Sequence, residues 1–129
     1  MTLMLNGTGR YADAVWPGPR YNVAGDGMPP VWVAGIDERT ASIVHVEWVA
    51  NPATSPLVQG SSAPGPVRQA AVVDLLATFA RYREVLEDEN NPLRAVRIIT
   101  NSPDAIPVLS WAHNEVGCIG VVEVRTTDG

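Results

Sequence analysis

The side chains able to do chemistry in this 129-residue chain are few, and most lack company of the right kind. His45 and His113 are its only histidines and Cys118 its only cysteine. No short His, Cys or Asp spacing surrounds them, so a transition-metal site is not expected and both histidines read as half-exposed polar residues. A Cys118–His113 nucleophile pair can be drawn on paper. Cys118, however, lies in the apolar run "VGCIGVV", where a thiol behaves as a small buried hydrophobe. The glycines make no phosphate cradle: "NGTGRYADAV" lacks a preceding strand and a Gly-Lys-Ser/Thr ending, and "AGDGMPP" runs into prolines. What remains are carboxylates, above all Asp37, Asp74 and Asp104, and the junction "VRIITNSPDAIPVLSW" at residues 96–111.

All nine basic residues are arginine, against fourteen acids, for a net charge of -5. The absence of lysine fits the codon usage of a GC-rich bacterial or phage genome. An acidic surface disfavours nucleic acid as a partner unless arginines gather on one face. Arg94 and Arg97 beside Arg81 and Arg83 offer one such patch, but pairing with Glu84, Glu87 and Glu89 on solvated faces is the preferred expectation. The lone cysteine rules out an internal disulfide, the N-terminus lacks a signal-peptide pattern, and no apolar run reaches the ~20 residues of a membrane span. A cytoplasmic protein with no membrane partner is expected.

The elements that must position these groups follow from pattern. Residues 1–30 are broken by Gly and Pro clusters and read as an irregular lead, with short extended pieces at most around "RYADAVW" and "RYNVA". Residues 31–129 read as one α/β domain. "VWVAGID" and "SIVHVEWV" are strands joined by a polar turn, and in the second Val44, Val46 and Trp48 oppose Ile43, His45 and Glu47. "LVQGS" is a weak third strand. "VRQAAVVDLLATFARYREVL" is the strongest helix, entered through Pro66 and ending near Leu86, with Asp74, Thr78, Arg81 and Glu84 toward solvent. "RAVRIIT" is a buried strand, and a short helix capped by Ser102 follows, in which Pro107 must stay near the first turn. His113-Asn114-Glu115 reads as a turn and "GCIGVVEVRT" as the last strand. Trp48 and Trp111 have core positions by periodicity. Trp16 either pins the lead to the domain or marks a binding patch.

The resulting order, βββαβαβ with a mixed sheet of about five strands and two helices, resembles the ribonuclease H-like superfamily. Three pieces carry the likeness: "VAGIDE" as a first strand ending in an acid, "PVRQAAVVDLLATF" as the first helix, and the corner Thr100-Asn101-Ser102 leading to Trp111. The resemblance implies a carboxylate cluster holding two Mg²⁺ ions about 4 Å apart. Asp37 stands at the first-strand position, with Asp13 or Asp26 as alternatives. The other two positions fall on amides, Gln69 and Asn101, and Asp128 is a poor substitute for a later acid on a fraying terminus.

Neutral amides remove most of the electrostatic reason for magnesium to stay. The expected function is therefore a noncatalytic interaction or regulatory module on a degenerate fold of this kind, without metal or cofactor. It would act through a protein partner or self-association, with Asn101, Gln69 and Trp16 as binding residues. The alternatives are a Mg-dependent nuclease with an atypical ligand set, using Asp37 with Asp104 or Asp74, and a sequence-nonspecific nucleic-acid-binding protein.

Overall fold

The computed structural model describes residues 21–25 and 27–125; Asp13, Trp16, Asp26 and Asp128 lie outside them. Among these described residues it is a mixed α and β structure with two α-helices. Strands β1 (Tyr21–Asn22) and β2 (Trp32–Val33) form a small antiparallel ribbon. A four-stranded sheet in the order β3-β4-β5-β6 is built from β3 (Gly35–Asp37), β4 (Ser42–Glu47), β5 (Ala95–Thr100) and β6 (Gly120–Val124). Strand β3 is antiparallel to β4, whereas β4, β5 and β6 are parallel. Helix α1 (Gly65–Glu87) connects β4 to β5, and α2 (Ile106–Glu115) connects β5 to β6. Both crossovers step the same way across the sheet, so the right-handed rule puts both helices on one face. No helix among the described residues is long and apolar enough to cross a membrane.

The alternation of β4 and β5 decides what meets the helices. Ile43, His45 and Glu47 of β4 lie beside Val96, Ile98 and Thr100 of β5, and all six are buried. They pack under Leu75, Phe79, Tyr82, Leu109 and Ala112. The face that turns inward thus carries two polar residues of β4, His45 and Glu47. They are tolerated because each finds a partner: Tyr82 donates its O–H to His45 Nδ1 at 2.6 Å, and His45 Nε2–H donates to Glu47 Oε1 at 2.9 Å. The His45 ring stands edge-on to Phe79, 5.3 Å between centroids. His45 is therefore a core residue, not a half-exposed one, and Glu47 is buried beside it.

The main elements lie where the sequence puts them, and the differences have local causes. "VWVAGID" divides into β2 and β3, one in each sheet. "LVQGS" is not a strand. Residues 56–60 form turns and a bend, with Leu57 and Val58 in the core and the Arg68 guanidinium donating to the Val58 and Ser61 carbonyls. A φ of +77° at Gly60 is a turn conformation that no extended strand contains. Thr78 faces inward, its hydroxyl donating to the Asp74 carbonyl at 2.9 Å.

Pro107 falls in the first turn of α2, where it costs no hydrogen bond, and Ser102 accepts from the Asp104 N–H just ahead of it. His113-Asn114-Glu115 is the last turn of that helix. It continues to Glu115 because His113 turns inward to donate from Nδ1 to the Cys118 carbonyl, and Gly117 at φ +72° then ends it. Trp111 is 47% exposed and leaves the core to Leu109 and Ala112.

Asn101 extends the β4–β5 pairing beyond its last backbone rung. Its Oδ1 accepts from the Val49 N–H at 2.6 Å and its Nδ2 donates to the Val49 carbonyl at 2.7 Å. A side-chain amide here does the work of a peptide group. Replacing it should expose the cost of leaving buried Val49 unpaired, about 1–3 kcal/mol. Asn101→Ala is expected to lower the unfolding free energy by that amount in urea with an unchanged m-value. Asn101→Asp should cost a similar amount, since a carboxylate accepts but cannot donate.

Candidate active site

The face of the sheet away from the helices carries a charged cluster drawn from three strands. Alternation places Asp37 at the end of β3, Arg97 in the middle of β5 and Glu123 on β6 on this same side. The Arg97 guanidinium grips Glu123 as a fork, Nε to Oε2 at 2.6 Å and Nη2 to Oε1 at 2.8 Å, while Nη1 donates to Asp37 Oδ2. The cluster floors an open cleft of about 520 Å³, lined also by Arg39, Ser42 and Gly120 and walled by the exposed apolar side chains of Ile119 and Val121. Gly120 is required there. A Cβ at that position would lie 2.7 Å from the Val96 carbonyl oxygen and push β6 off β5.

The charges hold one another ionised. Partial burial works to raise the Asp37 pKa, but the Arg39 backbone N–H, bonded to Oδ1 at 3.0 Å, and the Arg97 guanidinium outweigh it, leaving the carboxyl below its usual range. For Glu123 the hydrogen bonds from Arg97 dominate and lower the pKa. Partial burial and Asp37 oppose them, and the charges of Arg97 and Arg125 add to them. Bonding to Glu123 in turn raises Arg97 above its ordinary value. Arg39 stands at the rim, 3.8 Å from Asp37, and Arg125 stands 3.8 Å from Glu123; both side chains are mostly exposed. Three guanidinium groups thus surround two carboxylates, a local surplus of positive charge on a chain whose net charge is -5.

Of the carboxylates that stand out in the sequence, Asp37 alone belongs to this cluster. Asp104 is exposed beyond the carboxyl end of β5, whereas Asp37 pairs with Ser42 at the opposite end of the parallel strands. The length of β5, six residues or about 17 Å, separates them. Asp74 is on α1, across the sheet from Arg97. Gln69 is exposed near the start of α1, and Asn101 is committed to Val49. Glu123, Arg39 and Arg125 belong to the cluster though no sequence pattern announces them, and Arg97 stands out there only as one member of a basic patch. That patch does not form: Arg81 donates to the Pro30 carbonyl, Arg83 to Val116, and Arg94 to Asn91 and Leu93.

A divalent ion at these residues would meet what already sits between them. Asp37 and Glu123 converge, but the Arg97 guanidinium stands where such an ion would need to be, and its charge would oppose one. This pair does not fit a divalent metal. Among the described residues no group of three or more His, Cys, Asp or Glu gathers to hold one elsewhere. Cys118 offers no nucleophile: it is buried, and burial pushes its thiol up to about 12.

A sequence model of the family described as restriction endonuclease fold toxin 2 matches residues 10–117. No curated protein and no solved structure matches the chain. The match overturns the expectation of a noncatalytic interaction or regulatory module, because the family it names is one of toxins on a nuclease fold. It also sharpens the fold-level likeness. The nuclease-type α/β architecture stands, and the family's description names it a restriction endonuclease fold.

The linkage between Glu123 and Arg97 has a definite pH signature. A carboxyl whose folded pKa lies below its ordinary 4.5 adds stability that is present above that value and lost as pH falls through the folded one. The difference in melting temperature between the unaltered protein and Glu123→Gln should therefore be constant from neutral pH down to about 4.5 and close only below it. A gap that closes near pH 6, or never closes, would contradict the described pairing.

Proposed function

The chain belongs to the restriction endonuclease fold toxin 2 family, and from that premise we propose that it is a nuclease, cutting phosphodiester bonds in the cleft above Asp37, Arg97 and Glu123. The observation that carries this reading is the family match over residues 10–117. The cleft supports it on chemical grounds. Phosphodiester cleavage needs fixed positive charge where the pentacoordinate phosphorus gathers negative charge, and a base to free the attacking oxygen.

Arg97 supplies the first, held in one orientation by three charge-assisted hydrogen bonds. Arg39 and Arg125, free to swing at the rim, draw in the phosphates on either side. Glu123, the more accessible of the two carboxylates, takes the proton from the nucleophile, and Asp37 keeps the guanidinium from turning away. The chain as a whole is net acidic, so the local surplus of positive charge at the cleft is what attracts phosphate, and that attraction weakens with salt.

Purified protein incubated with labelled single-stranded and duplex RNA and DNA should cut at least one of them. Removing the fixed donor in Arg97→Ala should slow cleavage by about 10²–10³-fold, and Glu123→Gln by about 10²–10⁴-fold. Absence of cleavage of all four substrates, with and without added Mg²⁺ or Mn²⁺, would refute the nuclease assignment. Full activity in Arg97→Ala would move the reaction out of this cleft.

A further inference from the structure

We propose that the cleft cuts RNA, and does so without a divalent ion: Arg97 holds the place between two carboxylates that such an ion would take, and the substrate's own 2′-hydroxyl is the nucleophile. This rests on the nuclease reading above and goes beyond it by naming substrate and chemistry.

The argument begins from the pairing. Asp37 and Glu123 both turn toward Arg97, which is only 17% exposed and bonded on both sides. For an ion to enter, these charge-assisted bonds must break and leave a guanidinium without partners on the sheet face, a costly state. A cation that cannot leave serves one of the two purposes of a metal. It stabilises charge on the phosphoryl oxygens, but it does not lower the pKa of a bound water from 15.7 to about 7. The nucleophile must then be favoured by position instead. In RNA the 2′-oxygen is already tethered beside the phosphorus, and well-oriented intramolecular attack corresponds to effective molarities of about 10⁵–10⁸ M. DNA lacks that oxygen. The exposed Ile119 and Val121 at the wall give an unpaired base an apolar surface to lie against, in an open cleft of about 520 Å³.

The step balances without an oxidant or cofactor. The Glu123 carboxylate takes the 2′-hydroxyl proton, the 2′-oxygen bonds to phosphorus, and the bond from phosphorus to the 5′-oxygen breaks. The departing oxygen takes a proton from water at the open mouth of the cleft. Glu123 later returns its own proton to solvent. The products are a 2′,3′-cyclic phosphate and a free 5′-hydroxyl.

The test uses the intact chain, an RNA oligonucleotide, the same sequence as DNA, and the RNA with one 2′-deoxy residue at the mapped cut. Each is incubated in EDTA and in Mn²⁺, with product ends identified by mass. Expected are equal RNA cleavage in both buffers, cyclic phosphate ends, intact DNA and loss of cleavage at the deoxy residue. Cleavage of RNA or DNA that requires Mn²⁺, or RNA products bearing 5′-phosphate, would overturn this inference while leaving the nuclease assignment standing. No cleavage of any substrate in either buffer would remove both. A second readout does not depend on activity: the melting temperature should be the same with and without Mn²⁺, and a rise that Glu123→Gln abolishes would show that an ion does displace Arg97.

Discussion

The grip of one guanidinium on two carboxylates, across three strands, is the constraint around which the open face is arranged. Arg97 rises from β5, reaches over β4 to Asp37 on β3, and closes on Glu123 of the neighbouring β6. Any one of these residues alone on a half-covered sheet would hold a poorly solvated charge. Together they satisfy one another, and the remaining negative charge of the trio is balanced by Arg39 and Arg125 at the edges. The arrangement exists only because the parallel registers of β4, β5 and β6 and the short turn between β3 and β4 set positions 37, 97 and 123 on a common side. Charge at the cleft is thus a product of topology.

Much of the scaffold is legible in the residues. The β-branched runs at 42–47 and 95–100 alternate with period two, and both form central strands. The helix entered through Pro66 ends at Glu87, one residue past the expected Leu86. What escapes such a reading are choices that depend on distant partners. The run "VWVAGID" divides at Ala34-Gly35, and a single glycine does not announce two sheets; the division comes from β1 and β4 claiming different halves. Trp111 fits the period of a buried helix position, yet α2 meets the sheet through Leu109 and Ala112 and leaves the indole outside.

The site is less legible than the fold, for a physical reason. Asp37 stands out because it closes a strand. Arg97 and Glu123 are twenty-six residues apart in sequence and meet only through a strand register that no local pattern encodes. The amides at Gln69 and Asn101 look like lost metal ligands only on the strength of a resemblance. Asn101 in fact serves as a surrogate peptide unit for Val49, so its amide has a structural use of its own. Family membership accordingly corrects the function where individual positions point away from it.

The Tyr82–His45–Glu47 relay beneath the sheet has a consequence of its own. A wholly greasy contact between α1 and β4 would be nearly degenerate with respect to rolling the helix about its axis, since one branched aliphatic group substitutes tolerably for another. Hydroxyl, imidazole and carboxylate joined end to end lift that degeneracy. A turn of even one residue would strand three polar groups in the interior at once. The relay therefore acts as an indexing pin, fixing the azimuth of the longest helix and, through it, the sheet on whose far side the arginine sits.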